Sequence, residues 1–217
     1  MSRLIGVYGT GGCGRGIMPL LAAAKSDVSR LVYIDDRPPS AMVNGIPVME
    51  FADFVAQPET EKFACLAIAS GTVRRALADR CEQAGVTLAE VRAANVIEMD
   101  DVIIGEGACL SPFVTLTSNI RIGKCFHANL YSYVEHDCII GDFVTFAPGV
   151  KCNGNVIIED DVYVGSGAVL RNGTPDNPLR IGAGAIIGMG AVVTRSIARG
   201  VTVVGNPARI MQIASLC

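Results

Sequence analysis

From Ile104 onward the apolar residues of this chain fall into step every six positions. Ile104, Leu110, Leu116, Ile122, Ala128, Val134, Ile140, Phe146, Cys152, Ile158, Val164 and Leu170 are all apolar. The positions four later, from Ala108 to Ala168, repeat the pattern with Ser132 as the one hydroxyl, and glycine follows the apolar position at 105, 123, 141, 165, 182 and 188. A period of six fits neither an α-helix nor an alternating strand. It fits a chain that bends every six residues, three bends to a coil, with one apolar residue of each side pointing into a triangular core. The stretch from about Val102 to Ala208 is therefore predicted to be a left-handed parallel β-helix of about five coils. The register breaks over 171–178 and resumes at Ile181, Ile187 and Val193, so the extra residues there should loop out from a corner.

The first half has a different rhythm. Arg3–Tyr8, Leu31–Ile34 and Phe63–Ile68 read as strands; Gly14–Lys25, Pro47–Val55 and Thr72–Ala84 carry apolar residues at helical spacing, the last closed by Gly85. Such alternation with short connections implies a small parallel sheet. The expected organisation is a Rossmann-like α/β domain over residues 1–95, followed by an all-β domain over 96–217.

Composition narrows the functions. The net charge of -3 comes with no dense run of Lys or Arg, which argues against nucleic acid as a partner. Mean hydropathy is high at +0.41, yet no apolar run approaches the roughly 18–20 residues of a membrane span. With no signal peptide read at the N-terminus, a cytoplasmic location is expected. The eight cysteines (13, 65, 81, 109, 125, 138, 152 and 217) include no CxxC pair and read as free thiols. No Cys/His cluster has metal-ligand spacing, so no metal is expected. A γ-type carbonic anhydrase on the same scaffold would need three histidine ligands, and the chain has two histidines.

Two local features carry chemistry. Gly9-Thr10-Gly11-Gly12-Cys13-Gly14 lies between a strand and a helix, where backbone N–H groups and a helix N-terminus can hold a diphosphate. Asp35 and Asp36 follow at the spacing of ribose-binding carboxylates, although about 95 residues leave no catalytic domain for hydride transfer. The second feature is His136. It lies two after the inward Val134, so it points outward near a turn, flanked by Glu135 and Asp137. An imidazole there suits removal of a proton from an attacking amine. His127, with no carboxylate beside it, reads as an ordinary surface histidine.

The hexapeptide run, the block from Asn129 through Glu135-His136-Asp137-Cys138 to Gly154-Asn155, and Gly205-Asn206-Pro207-Ala208 together resemble the PglD-like nucleotide-sugar N-acetyltransferases, which are related to the NeuD sialic acid O-acetyltransferases. The resemblance implies a homotrimer with acetyl-CoA between adjacent β-helices. It implies an acceptor amine on a nucleotide-linked amino-deoxy sugar, with a UDP-linked 4-amino-4,6-dideoxy sugar expected. By the same resemblance His136 is the general base, Asp137 orients it, and Asn129 is a polar residue near it. Gly154 would present a backbone N–H to the thioester carbonyl, and Gly165, Ser166, Met189 and Gly190 would line the cofactor. Gly9, Gly11, Gly12, Cys13, Gly14, Asp35, Asp36 and Ser70 would hold the nucleotide sugar. The chain departs from the family at Cys13, at Ala69-Ser70-Gly71-Thr72, and at Thr145, where relatives carry histidine, asparagines and a second histidine. O-acetylation of a sialic acid and a non-catalytic scaffold are the other readings.

Overall fold

The computed structural model describes residues 2–24 and 30–211. Lys25, the expected end of the first helix, and Cys217 lie outside the described residues. The N-terminal unit runs β1 (Arg3–Tyr8), α1 (Gly12–Ala24), β2 (Arg30–Ile34), β3 (Met42–Val43), β4 (Ile46–Met49), α2 (Phe51–Val55), β5 (Glu61–Leu66), α3 (Gly71–Gln83) and β6 (Thr87–Leu88). Its sheet has the order β3-β4-β2-β1-β5-β6, parallel except for the β3–β4 hairpin. The continuous helix expected over Pro47–Val55 is not there. Ile46–Met49 is a strand paired with β2, and the chain turns helical only after the extended Glu50. Strand and helix run together at Glu50, so their apolar residues merged into one apparent helical spacing.

After β6 the chain enters the left-handed β-helix, a triangular prism with three parallel sheets as faces. The first face stacks strands beginning at Val91, Cys109, His127, Thr145, Tyr163, Ile186 and Thr202, and ends in an antiparallel strand, Arg209–Ile210. The second stacks those beginning at Ile97, Thr115, Tyr133, Lys151, Val169 and Val192; the third, those beginning at Val102, Ile120, Ile139, Val156 and Leu179, with Ile181 bridged to Ile197. The first coil therefore starts at Val91, eleven residues before the expected start, and there are six coils where about five were expected. The reason lies in Arg92 and Glu98. They stand opposite the inward Leu110 and Leu116 and form an ion pair at the end of the prism. Polar residues in the inward register hid this coil from an apolar count.

The predicted inward positions fill the core. Leu110, Leu116, Phe146, Cys152, Val164 and Leu170 have no exposed surface, nor do the second-set Val114, Phe126, Ser132, Val144 and Val150. Ser132 is accommodated because its hydroxyl donates to Ala147 O at 3.0 Å. At the edges a left-handed φ recurs every six residues, at Asp101, Gly107, Phe113, Asn119, Cys125, Tyr131, Asp137, Phe143, Gly149, Asn155, Asp161 and Gly167. Residues 171–178 leave from the edge between the second and third faces, and Thr174 and Asn177 bridge across the loop.

The N-terminal unit covers the first face. Phe143, at the edge between the third and first faces, is buried in the N-terminal core, with the Arg75 guanidinium 4.3 Å from its ring centre. Arg74 is fully buried. It donates to Ile68 O, Ala69 O and Thr145 Oγ1 at 2.8–3.0 Å, and to Phe143 O and Val144 O at 2.7 and 3.1 Å. One guanidinium thus ties the loop before α3 to three successive residues of the prism. Phe146, packed edge-on to Phe126 at 5.2 Å, tests the dependence on the core. Phe146→Ala should lower unfolding free energy by about 3–5 kcal/mol, read as a lowered midpoint in urea with little change in slope.

Candidate active site

His136 sits at the edge between the second and third faces, directly before the left-handed Asp137. Its ring is half exposed, and its Nδ1 lies 2.7 Å from Asp137 Oδ2. Asn119, one coil below, donates to Asp137 Oδ1 at 3.2 Å. The His136 hydrogen bond, helped by that from Asn119, holds the Asp137 carboxyl below its usual range. The carboxylate therefore stays ionised and holds the imidazole through Nδ1, which leaves Nε2 on the far side of the ring.

Gly154 stands one coil above. A Cβ built on it would lie 2.6 Å from both Cε1 and Nε2 of His136. The ring packs flat against the glycine, and any side chain there would displace it. Asn155 N donates to His136 O at 3.0 Å, while Gly173 N donates to Gly154 O at 2.9 Å. The 171–178 loop therefore rises from the second coil above His136.

The glycine-rich loop lies elsewhere. Gly14 allows its tight turn, since a Cβ there would sit 1.9 Å from Gly9 O. Gly11 and Gly12 face open space at the start of α1, whose first turn holds no acidic residue. Asp35 braces the loop: its Oδ2 accepts from Thr10 Oγ1 at 2.6 Å and its Oδ1 from Arg37 N at 3.0 Å. Asp36 accepts from Tyr8 Oη at 2.6 Å and Arg80 Nη1 at 2.7 Å. Burial opposes its charge, but those two hydrogen bonds hold its carboxyl below the usual range. Both carboxylates are thus already engaged within the chain. Arg80 and Tyr8 had no signal in the sequence, where each reads as an ordinary helix or strand residue.

Gly12 and Cys13 form one wall of a pocket of about 300 Å³ whose other wall is the first face of the prism, with His127, Asn129, Thr145, Tyr163 and Ser166. Burial pushes the Cys13 thiol up to about 11, so it is neutral there. Ala69 and Tyr163 continue into a second pocket of about 500 Å³, lined also by Ser70, which caps α3 by accepting from Val73 N. His127 is 2% exposed, which corrects the expected surface histidine: it points outward from its strand, but the N-terminal unit covers that face. Thr145 is spent on the junction, donating to Ala69 O and accepting from Arg74.

The structure sorts the expected site residues into two groups. His136, Asp137 and Gly154 share the edge between the second and third faces. Asn129, Gly165, Ser166, Met189 and Gly190 follow the first face, at its edge with the second, where Gly165 packs beneath Met189 N and Gly190 N donates to Ser166 O. Asn129 is thus beside the glycine-rich loop and not beside His136 of its own chain.

A β-helix with an outward imidazole–carboxylate pair against a backbone glycine is the arrangement of a hexapeptide acyltransferase. No family model matches the chain. It is 48% identical over 215 residues to the GDP-perosamine N-acetyltransferase of Escherichia coli O157:H7, covering 97% of each. Among solved structures, WeeI from Acinetobacter baumannii AYE superposes with a TM-score of 0.95 at 53% identity, over 97% of this chain and all of that one. The acetyltransferase domain of PglB from Neisseria gonorrhoeae FA1090, solved with acetyl coenzyme A, matches at 0.85 and 27% identity over the same shares. The chain belongs to the nucleotide-sugar N-acetyltransferases and uses acetyl-CoA.

The Gly154 contact makes a direct prediction. Gly154→Ala should displace the His136 ring and lower kcat about 10- to 100-fold, a large share of what a general base supplies. The melting temperature should move little, because the atoms the new methyl meets belong to the half-exposed His136 ring, which can swing toward solvent. Wild-type kcat in this variant would show that the ring does not work from its observed position.

Proposed function

We propose that this enzyme acetylates the 4-amino group of a GDP-linked 4-amino-4,6-dideoxyhexose, at sites shared between the copies of a homotrimer. The likeness to the E. coli enzyme over the full length supports GDP as the carrier, in place of the UDP-linked sugar expected from the sequence. The observation that carries the chemistry is the His136–Asp137 pair held 2.7 Å apart and packed on Gly154. His136 Nε2 takes the proton as the amine attacks the thioester carbonyl of acetyl-CoA. The Gly154 N–H faces the oxygen on which charge develops; as the C–S bond breaks, the imidazolium passes that same proton to the departing CoA sulfur, leaving the amide, the thiol and a neutral His136.

The prism supports the shared site. The edge carrying His136 lies opposite the first face, where the glycine-rich loop sits. A sugar held by that loop can meet only a His136 from another copy. Exposed apolar residues on and beside the second face, Ile97, Met99, Phe113, Leu130 and Tyr131, are suited to such contact. In this reading residues 1–95 hold the nucleotide sugar and 96–217 hold acetyl-CoA, with Met189 and Gly190 along its length. Asp35 and Asp36 position the nucleotide end, and no metal takes part. The enzyme works in the cytoplasm, where acetyl-CoA and nucleotide sugars are made, and serves surface glycan synthesis.

His136→Ala should cost about 10²–10⁴ in kcat with GDP-perosamine while acetyl-CoA still binds, and wild-type kcat/KM should favour the GDP-linked over a UDP-linked 4-amino sugar. Gly12→Asp, which places a carboxylate at the phosphate end without touching other atoms, should also be inactive. Co-assembled with His136→Ala, it should recover about a quarter of wild-type kcat, because sites built from one loop and another copy's base are then restored. Absence of recovery in verified mixed trimers would rule out the shared site.

A further inference from the structure

We infer that His127 is a sugar-binding residue of the acceptor pocket, giving its imidazole nitrogen to a hydroxyl of the nucleotide-activated amino sugar. This rests on the acceptor reading above. Buried polar side chains find partners inside a folded protein, and exceptions call for an explanation. His127 is such an exception: its ring is 2% exposed and its Nε2 has no hydrogen-bond partner among the described residues.

Its neighbours are already committed. His127 pairs along the first face with Cys109 below and Thr145 above. Cys109 Sγ lies 3.3 Å from Cys65 Sγ, and Thr145 Oγ1 is taken by Ala69 O and Arg74. Cys109 also hydrogen-bonds the imidazole, and Nε2 is still left without a partner among the described residues. What the ring does face is the pocket under Gly12 and Cys13.

The two walls of that pocket differ in chemistry. The loop wall offers backbone N–H groups at the start of α1, which suit a phosphate. The wall around His127 offers the Asn129 amide, the Ser166 and Tyr163 hydroxyls and the small Ala147, with a neutral Cys13 thiol opposite. Uncharged donors and acceptors among small side chains match a pyranose with its hydroxyls. A diphosphate on the loop would lay its sugar against this wall, with His127 at the bottom. Asn129 keeps its Nδ2 on Phe146 O at 2.7 Å, which turns its Oδ1 free for the same ring.

Calorimetry with the intact assembly separates the sugar from the phosphates. The wild type should bind both GDP and GDP-perosamine. His127→Leu should bind GDP within two-fold of wild type but GDP-perosamine about ten-fold more weakly, the loss of one buried hydrogen bond. His127→Gln, which restores an amide donor and acceptor, should recover part of that loss. In turnover the acceptor KM should rise while the KM for acetyl-CoA stays within two-fold. Unchanged GDP-perosamine affinity in a His127→Leu protein that melts like wild type overturns the inference. So does an equal loss of GDP and GDP-perosamine, which would mark a phosphate contact or a purely structural role. A wild type that binds GDP but gains nothing from the perosamine group overturns the acceptor reading itself, and this inference with it.

Discussion

From Asp101 to Gly167 the prism closes because the chain turns left-handed once in each six residues. That backbone region is comfortable for glycine and tolerable for Asn and Asp, whose short side chains bond locally. Here it is also occupied by Phe113, Cys125, Tyr131 and Phe143, at a cost of about 1–3 kcal/mol each. Those bulky exceptions are not idle. Phe143 anchors the N-terminal unit and Cys125 lies in the same core cluster. Phe113 and Tyr131 stack one above the other at 4.8 Å on the opposite side of the first face. Asp137 is an edge residue of the same series. The turn that aims His136 outward and the carboxylate that steadies its ring are therefore one structural element.

The second dependence is the junction over the first face. Arg74 makes no ion pair within 4 Å among the described residues; its two terminal nitrogens donate to four carbonyls and one hydroxyl, so the charge is met largely by dipoles belonging to both units. Charge-assisted hydrogen bonds of this kind are the strong ones. They fix the loop before α3 to the prism, and through β1 and β5 they fix the glycine-rich loop at a set height above His127 and Asn129. A flexible hinge would leave the glycine-rich loop free to wander over the first face; this junction gives it one place to lie.

How much of this could be read from the chain depends on who touches whom. The β-helix was legible because each inward residue meets its neighbours six and eighteen positions away, a local rule repeated many times. The first coil was not, because Arg92 and Glu98 obey the register with charged side chains. The His136 pair was legible because adjacent residues share one turn. His127 was not, because the covering N-terminal unit is distant in sequence and nothing beside the residue records it. Arg74 failed for the same reason: on a helix, a lone arginine reads as solvent-facing until the helix is docked. The helix expected over Pro47–Val55 failed because a strand and a short helix adjoin without an intervening polar break.

The stacking also makes the protein a gauge of length. Each coil adds eighteen residues, as from Cys109 to His127, and about 4.8 Å along the axis. His136 precedes the third strand of its face and Met189 the sixth of a face that comes earlier in each coil, so a little under three coils, about 13 Å, separate them along the prism. An insertion at an edge, such as 171–178, leaves that distance untouched. A whole coil gained or lost would change it by one fixed step. Loops can vary in length at the edges without moving His136 against Met189, whereas the number of coils between them fixes their separation in whole steps.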